Sequence, residues 1–500
     1  MKSPTWLQRR VRPAVGMAAV VALTGCAAAA PRVVAPAQVP QVSPAASPQA
    51  AVQQQEPAFT AKLQFTPPRA PAGTTVQVRG SGYPAGADVD LVWYTSDGRY
   101  ELDNGTEFVG GRYDPRTSTL TTLRASPSGD IAGSFSVPID FGGAHDVRGR
   151  VAGQELSQAS VTIEPAVTMT PQEGPIGTPV ELRIVGVDSR VSINTWHLMY
   201  DNRFTGFLSA VTTHGVAVAR FRAAGPVGQR AVSVWHNSFY PTPYLNWQQG
   251  PNKDVPDYKF TFNVTMDSGP PAMALDDFNA LDNPWPVPAG SGSLALTVDR
   301  GPVGTPTTLH GSGLPPNKEL VVDWQTMVGN RVTPSGFSEQ LQSLGAVVTD
   351  ANGAFVRELA IPDDLGGQHR VDVTADGKVW ASTGVVIQPS VLEFGPARVR
   401  AGEQVKLHLK GVGWTTYDNT YAVTYDNSYV GYACGFSTNG DVQFSLTATG
   451  APGTHLIDLY PTIYKGADAM PRVYSIPQLT YADDHPQRKT PAIRLAIEII

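Results

Sequence analysis

The chain has 500 residues, with 37 Lys+Arg against 43 Asp+Glu, a formal net charge of −6, and 41% hydrophobic and 9% aromatic residues. Its 49 glycines and 43 prolines exclude a long-helix or coiled-coil protein, because both residues break helices. The mild acidity excludes a dedicated nucleic-acid binder, which needs a basic face, and the length allows three or four domains.

Lys2, Arg9, Arg10 and Arg12 precede an apolar run from Ala14 to Leu23. The run is too short to span a bilayer and fits the apolar region of a secretory signal peptide. It ends in Leu23-Thr24-Gly25-Cys26, which resembles the bacterial lipobox. That resemblance implies removal of residues 1–25 as a lipoprotein signal peptide and acylation of Cys26, with palmitate-type chains on the sulfur and a further chain on the new amine. Two or three acyl chains anchor a protein stably where one is marginal. Ala27 follows the cysteine. By resemblance to enterobacterial sorting, this implies the outer membrane of a Gram-negative cell; in any other envelope the expectation is the outer face of the plasma membrane.

Residues 26–57 hold the acylated cysteine and then Ala, Pro, Val and Gln with almost no charge, which predicts a disordered, semi-extended linker. The one cysteine beyond it, Cys434, leaves no internal partner, so the count excludes a disulfide framework and a Cys-based zinc site.

From residue 58 the chain becomes short alternating runs, such as Thr75-Val-Gln-Val-Arg79 and Val405-Lys-Leu-His-Leu409, bounded by Gly, Pro, Asn and Asp. Period-2 alternation with turn signals about every ten residues predicts an all-β chain of sandwiches. The runs repeat. Pro71-Ala-Gly-Thr and Gly80-Ser-Gly-Tyr-Pro84 recur as Pro302-Val-Gly-Thr and Gly311-Ser-Gly-Leu-Pro315 at an offset of 231, which also pairs Trp93 with Trp324. Phe141-Gly-Gly-Ala-His145 recurs as Leu365-Gly-Gly-Gln-His369 at an offset of 224, so the first copy carries seven extra residues, expected in a longer hairpin around Tyr100 to Leu123. A different pattern, Tyr200-Asp201-Asn202-Arg-Phe204-Thr-Gly206-Phe207, recurs as Tyr425-Asp426-Asn427-Ser-Tyr429-Val-Gly431-Tyr432 at an offset of 225.

The repeats predict a duplicated two-domain unit of four tandem sandwiches: A at 58–165, B at 166–265, a linker at 266–292, A′ at 293–389, B′ at 390–482 and a C-terminal tail at 483–500. The tail alternates apolar and polar residues, as an edge strand or a sticky assembly segment would. The Gly-Thr opening, the Gly-x-Gly-x-Pro turn and the Gly-Gly-x-His-x-Val close, carried by Gly73, Thr74, Gly80, Gly82, Pro84, Gly142, Gly143, His145 and Val147, resemble bacterial Ig-like domains of the IPT/TIG kind. The resemblance implies tandem Ig-like sandwiches that act as spacers and binding modules.

Catalytic motifs are missing from the sequence: there is no nucleophile elbow in a strand–turn–helix context, no His-Glu-x-x-His and no Walker loop. The expectation is a non-enzyme without cofactor or metal. Asp276, Asp277, Asn279, Asp282 and Asn283 offer oxygen ligands for calcium, but without the spacing or central glycine of an EF-hand loop they read as a solvated linker. His145 and His369 fall at equivalent places, which favours a repeated structural role.

The candidate binding residues are aromatics and their polar neighbours in B and B′: Trp196, Tyr200, Asp201, Asn202, Phe204 and Trp235, then Tyr421, Tyr425, Asp426, Asn427, Tyr429 and Tyr460. Tyr and Trp offer flat apolar faces with a polar tip, suited to sugars and to protein anchors. The same residues fit a hairpin whose aromatics pack across it, with Asp-Asn as the turn. Function then reads as a lipid-anchored cell-envelope protein for adhesion or scaffolding. It would be held to the membrane by its acyl chains and would contact surface polysaccharide or envelope protein through two similar sites, with an avidity gain. The alternatives are a carbohydrate-binding or carbohydrate-active surface protein, which as an enzyme needs two carboxylates across a cleft, and a purely structural spacer.

Overall fold

In the computed structural model, residues 59–500 are described except 191–193, 238–242, 244, 250–256, 277–289, 331–335, 436–438, 464–474 and 488. Among the described residues there is no α-helix, and the chain folds as four β-sandwiches, all-β as the alternation predicts. Cys26 and the oxygen-bearing residues Asp277, Asn279, Asp282 and Asn283 lie outside the described residues.

Each sandwich pairs a three-stranded sheet with a larger one in which a two-residue strand lies parallel to the closing strand. In A the small sheet is Lys62–Thr66, Thr75–Ser81 and Ile131–Ser136. The large sheet runs Arg69–Ala70, Gln154–Ile163, Gly143–Val151, Asp88–Asp103, Glu107–Arg124. B, A′ and B′ repeat this order. Inward residues alternate as the sequence does: in Thr75–Ser81 only Val76 and Val78 are buried. A large aromatic fills each core from the same strand, Trp93 in A, Trp324 in A′, Trp196 in B and its repeat partner Tyr421 in B′.

The structure corrects two parts of the domain reading. Ile493–Ile499 is no tail: it is the closing strand of B′, paired antiparallel with Gly453–Thr462 and parallel with Arg398–Val399. B closes with Tyr258–Val264 at the equivalent place, paired with Gly228–Asn237 and with Glu173–Gly174. B′ therefore runs past 482. The described part of the 266–292 stretch is likewise pinned: Ala274–Leu275 pairs with Ile493–Arg494, and Asp276 bonds Arg494 through two parallel contacts of 3.1 and 2.6 Å. Length and composition alone could not reveal this, because both segments are held by residues far away in sequence.

The two Gly-Gly motifs mark the domain junctions. Gly142 donates its N–H to the Val187 carbonyl and Gly366 to that of Val412, both at 3.0 Å. A Cβ on Gly142 would lie 2.0 Å from the Gly186 oxygen, and one on Gly366 1.8 Å from that of Gly411, so only glycine lets the two backbones approach. The neighbouring histidines are structural. His145 and His369 stack on Trp93 and Trp324, and both ring nitrogens of each lie within 3.0 Å of a backbone carbonyl.

The long A hairpin, Asp88–Asp103 with Glu107–Arg124, crosses to B′. Phe108 near its tip packs with Tyr417, Ile463 and Tyr481, the Phe108 N–H donates to Thr416 Oγ1, and the Tyr417 hydroxyl donates to the Gly105 carbonyl. Beneath it the buried Asp484 accepts from the Tyr100 hydroxyl and from the Val211 and Thr212 N–H groups, joining A, B and B′. Burial, reinforced by this carboxylate, pushes the Tyr100 hydroxyl well above its usual range, so it stays a donor.

B and B′ also pack face to face. The outward side of Val216–Arg222 lies on the outward side of the B′ sheet, where Leu456, Tyr460 and Ala496 join the B core. The strand Ile493–Ile499 is therefore covered on both faces. A buried ion network spans this contact: Asp458 lies 2.6 Å from Arg222 and 3.5 Å from Arg494, with the Arg494 guanidinium 4.6 Å above the Tyr460 ring.

Candidate functional site

The repeated Tyr-Asp-Asn is a two-residue hairpin turn in both copies. Tyr200 pairs with Arg203 and Tyr425 with Ser428, and the residues between have positive φ: 49° and 61° at Asp201 and Asn202, 47° and 60° at Asp426 and Asn427. Two consecutive positive φ values are the signature of a type I′ turn, which matches strand twist and tolerates Asp and Asn. Each tyrosine hydroxyl then ties down a loop from the opposite sheet. Tyr200 donates to the Ala224 carbonyl at 2.8 Å and accepts from its N–H; Tyr425 does the same with Thr449. Each aspartate caps the next strand, Asp201 accepting from the Ala231 N–H and Asp426 from that of Leu456, both at 2.9 Å.

These equivalent corners face one another across one cleft of about 720 Å³ between B and B′. Its walls come from Tyr200, Asp201, the loop Ala224 to Val227 and Arg230 on one side, and from Tyr425, Asp426, the loop Thr449 to Gly453 and His455 on the other. Arg230 lies 3.2 Å from the second oxygen of Asp201; His455, its repeat partner, lies 2.6 Å from that of Asp426. Bonding to Asp426 raises His455 above the ordinary imidazole value, against the opposing effect of burial. Asp267 closes one end by accepting from the Thr454 N–H and hydroxyl. Burial works to raise its carboxyl, but those bonds hold it below the usual carboxylate range. The two repeat-equivalent corners thus line one shared cleft.

The other candidate residues divide by burial. Trp196 and Tyr421 are core residues and Tyr460 lies inside the B–B′ contact, so none offers a ligand a face, contrary to the sequence reading. Asn427 is buried and donates to the Arg222 carbonyl across the contact, whereas Asn202 is exposed. Phe204 and Tyr429 are half-buried against each other. Half-buried Trp235 donates to Ser233 Oγ. Strand alternation could not separate these fates, because Tyr460 and Asn427 are covered by a neighbouring domain and not by their own sheet. Sequence reasoning missed Arg230, His455 and Asp267. The first two were accessible in principle, since they follow the paired Gly225–Gly228 and Gly450–Gly453 loops at the same offset of 225.

Among the described residues no group of three His, Cys, Asp or Glu side chains is placed to hold a metal, and no helix is long and apolar enough to cross a membrane. Cys434 is half-buried beside Thr420 Oγ1, with 3.1 Å between sulfur and oxygen.

No protein-family model matches the chain, and no curated protein matches it. Solved structures with likeness include the adhesin FdeC of Escherichia coli, 15% identical over 66% of this chain and 97% of that one, at a TM-score of 0.16. A putative membrane-anchored protein of Corynebacterium diphtheriae is 13% identical over 88% and 91% of the two chains, at 0.18. The D0–D1 domain of intimin is 17% identical over 37% and 92%, at 0.13. At these TM-scores the likenesses carry no argument about what this chain does.

Proposed function

We propose that the chain is a lipid-anchored cell-envelope protein of tandem Ig-like domains, IPT/TIG-like in A and A′, that acts by binding and not by catalysis. In this reading Cys26 carries the acyl chains, residues 27–57 give reach, and the B–B′ cleft holds the ligand, a surface polysaccharide or an envelope protein. The observation that carries it is the cleft itself, lined by equivalent corners of two domains that a buried ion network holds side by side. Preformed concavity of this size with a few convergent polar groups is where ligands bind. A plain spacer has no use for it. The three carboxylates of the cleft are all engaged by N–H donors or cations, and Asp267 is held ionised, which favours recognition over acid–base work.

The test uses the full chain and a Val227→Trp variant, because Val227 stands on the cleft wall and is 58% exposed. Both are offered solubilised envelope polysaccharide and, separately, envelope protein. Retention by the parent and its loss in the folded variant is the expected result and names the ligand class; equal retention, or none by either, overturns the reading. Cys26→Ser should move the chain from the membrane fraction to the soluble one.

A further inference from the structure

The duplication supplies a comparison between two equivalent hairpins, Asp88–Asp103 with Glu107–Arg124 in A, and Glu319–Gly329 with Phe337–Val348 in A′. In both sandwiches the second strand is the edge of the large sheet. An edge strand offers a row of unpaired backbone groups and is normally blunted by charge, proline or cover.

A guards its edge. Pro115 sits within it, and Arg112, Asp114, Arg116 and Arg124 decorate it. Across the hairpin Arg124 pairs with Asp88, Thr122 with Asp90 and Arg116 with Asp97. B covers its own edge strand, Arg203–Leu208, with the segment from Pro477 to Leu479, which exchanges two backbone hydrogen bonds with Phe207.

A′ has lost the guards position by position. Asp90, Asp97, Thr117, Thr122 and Arg124 are replaced by Val321, Val328, Leu341, Ala346 and Val348, and Pro115-Arg116 by Glu339-Gln340. Val321, Leu341, Ala346 and Val348 stand on one face of the hairpin by register and are exposed, Leu341 at 52% and Val348 at 67%. From Ser338 to Val348 the strand carries one charge, Glu339, and no proline. Two backbone groups at an irregularity in its middle are already engaged: the Leu344 carbonyl accepts from Arg357, and the Gly345 N–H donates to Ser343 Oγ.

We propose that this A′ edge pairs with the same edge of a second copy of the chain. The remaining backbone groups of the row select an extended strand as partner. The near absence of charge selects a neutral one, and a two-fold axis makes the strand its own complement. Antiparallel pairing about Ser343 aligns residues 338 to 348 with themselves, sets each Glu339 opposite a valine, and leaves the two carboxylates about 26 Å apart, so nothing repels. The two five-stranded sheets then join as one, with the apolar faces side by side.

The test is sedimentation of the full chain in detergent beside the variant Glu339→Pro with Gln340→Arg, which copies the guard that the A fold already carries at the equivalent place. The expected result is a dimer for the parent and a twofold loss of mass for the variant, which still melts in a cooperative transition. A second readout is Ser343→Cys, which should give a disulfide-linked dimer on mild oxidation where Thr119→Cys, its equivalent in A, gives none. A parent that stays monomeric up to its solubility limit, a variant that remains dimeric, or equal cross-linking at both cysteines overturns the proposal.

Discussion

Phe204 and Tyr429 occupy the same place in the two copies of the B domain, and their rings meet edge to face with centroids 6.4 Å apart. A repeat has thus been folded back until equivalent residues touch. The Tyr429 hydroxyl also donates to the Ser475 carbonyl, and burial pushes it up to about 12, so it remains a donor at any physiological pH. A double-mutant cycle of Phe204→Ala and Tyr429→Ala should return a coupling of about 1 kcal/mol, the usual worth of an aromatic pair beyond its buried area. Urea unfolding of the four proteins in the cycle measures it, and a coupling near zero would show that the rings merely lie close.

The turn asparagines should behave differently despite identical backbone. Asn427→Gly keeps the positive φ but removes the bond to the Arg222 carbonyl and leaves a buried oxygen without its donor, so it should cost about 1–2 kcal/mol. Asn202→Gly changes an exposed side chain in the same geometry and should fall within about 0.5 kcal/mol of the parent. Melting temperatures of the two variants decide it.

Arg222→Ala should destabilise the chain by about 3–5 kcal/mol, because it leaves Asp458 buried with only the longer contact to Arg494. The expected signature is an early transition in which B parts from B′ before either sandwich unfolds, resolved as a separate step in a calorimetric scan. A single unshifted transition would show that the apolar contact alone holds the domains.

Two histidines predict opposite slopes of stability with pH. His197 is buried, and neither of its ring nitrogens meets a hydrogen-bonding partner among the described residues; burial pushes it from 6.5 down to about 3. Its folded value lies below the unfolded one, so the unfolded chain takes up the proton first. Stability is then lost as pH falls below 6.5, by about 2 kcal/mol at pH 5. His455 is raised by its bond to Asp426, so its contribution is full below 6.5 and disappears as pH rises through the raised value. His197→Leu should flatten the acid limb of a denaturation series and His455→Gln the neutral-to-alkaline limb; exchange of the two effects would refute the assignment.

The all-β class, the sandwiches and the duplication were legible because they depend on local alternation and on repetition. Val76 and Val78 face inward for the reason that Thr75 and Gln77 face outward. The turn at Asp201-Asn202 was legible as one of two readings, since Asp-Asn suits both a type I′ turn and a ligand. What escaped is everything set by one domain lying on another. Ile493–Ile499 has the pattern of an edge strand and is buried on both sides, because a second sheet covers the face that solvent would have taken. Tyr460 has the pattern of a surface aromatic and is buried for the same reason. Arg230 and His455 keep the repeat offset but differ in residue type, so the repeat alone did not reveal that each faces a turn aspartate.

The reach of the A hairpin onto B′ has a consequence for how the molecule is made. Phe108 bonds to a residue 308 positions later, so the sandwich synthesised first carries an apolar tip whose seat does not yet exist. Until B′ has emerged, that tip and the outward face of Val216–Arg222 stay wet and available to chaperones or to neighbouring chains. Closure of the body is therefore a late event that joins its first and last sandwiches. A chain that stops before Thr416 leaves both surfaces open at once.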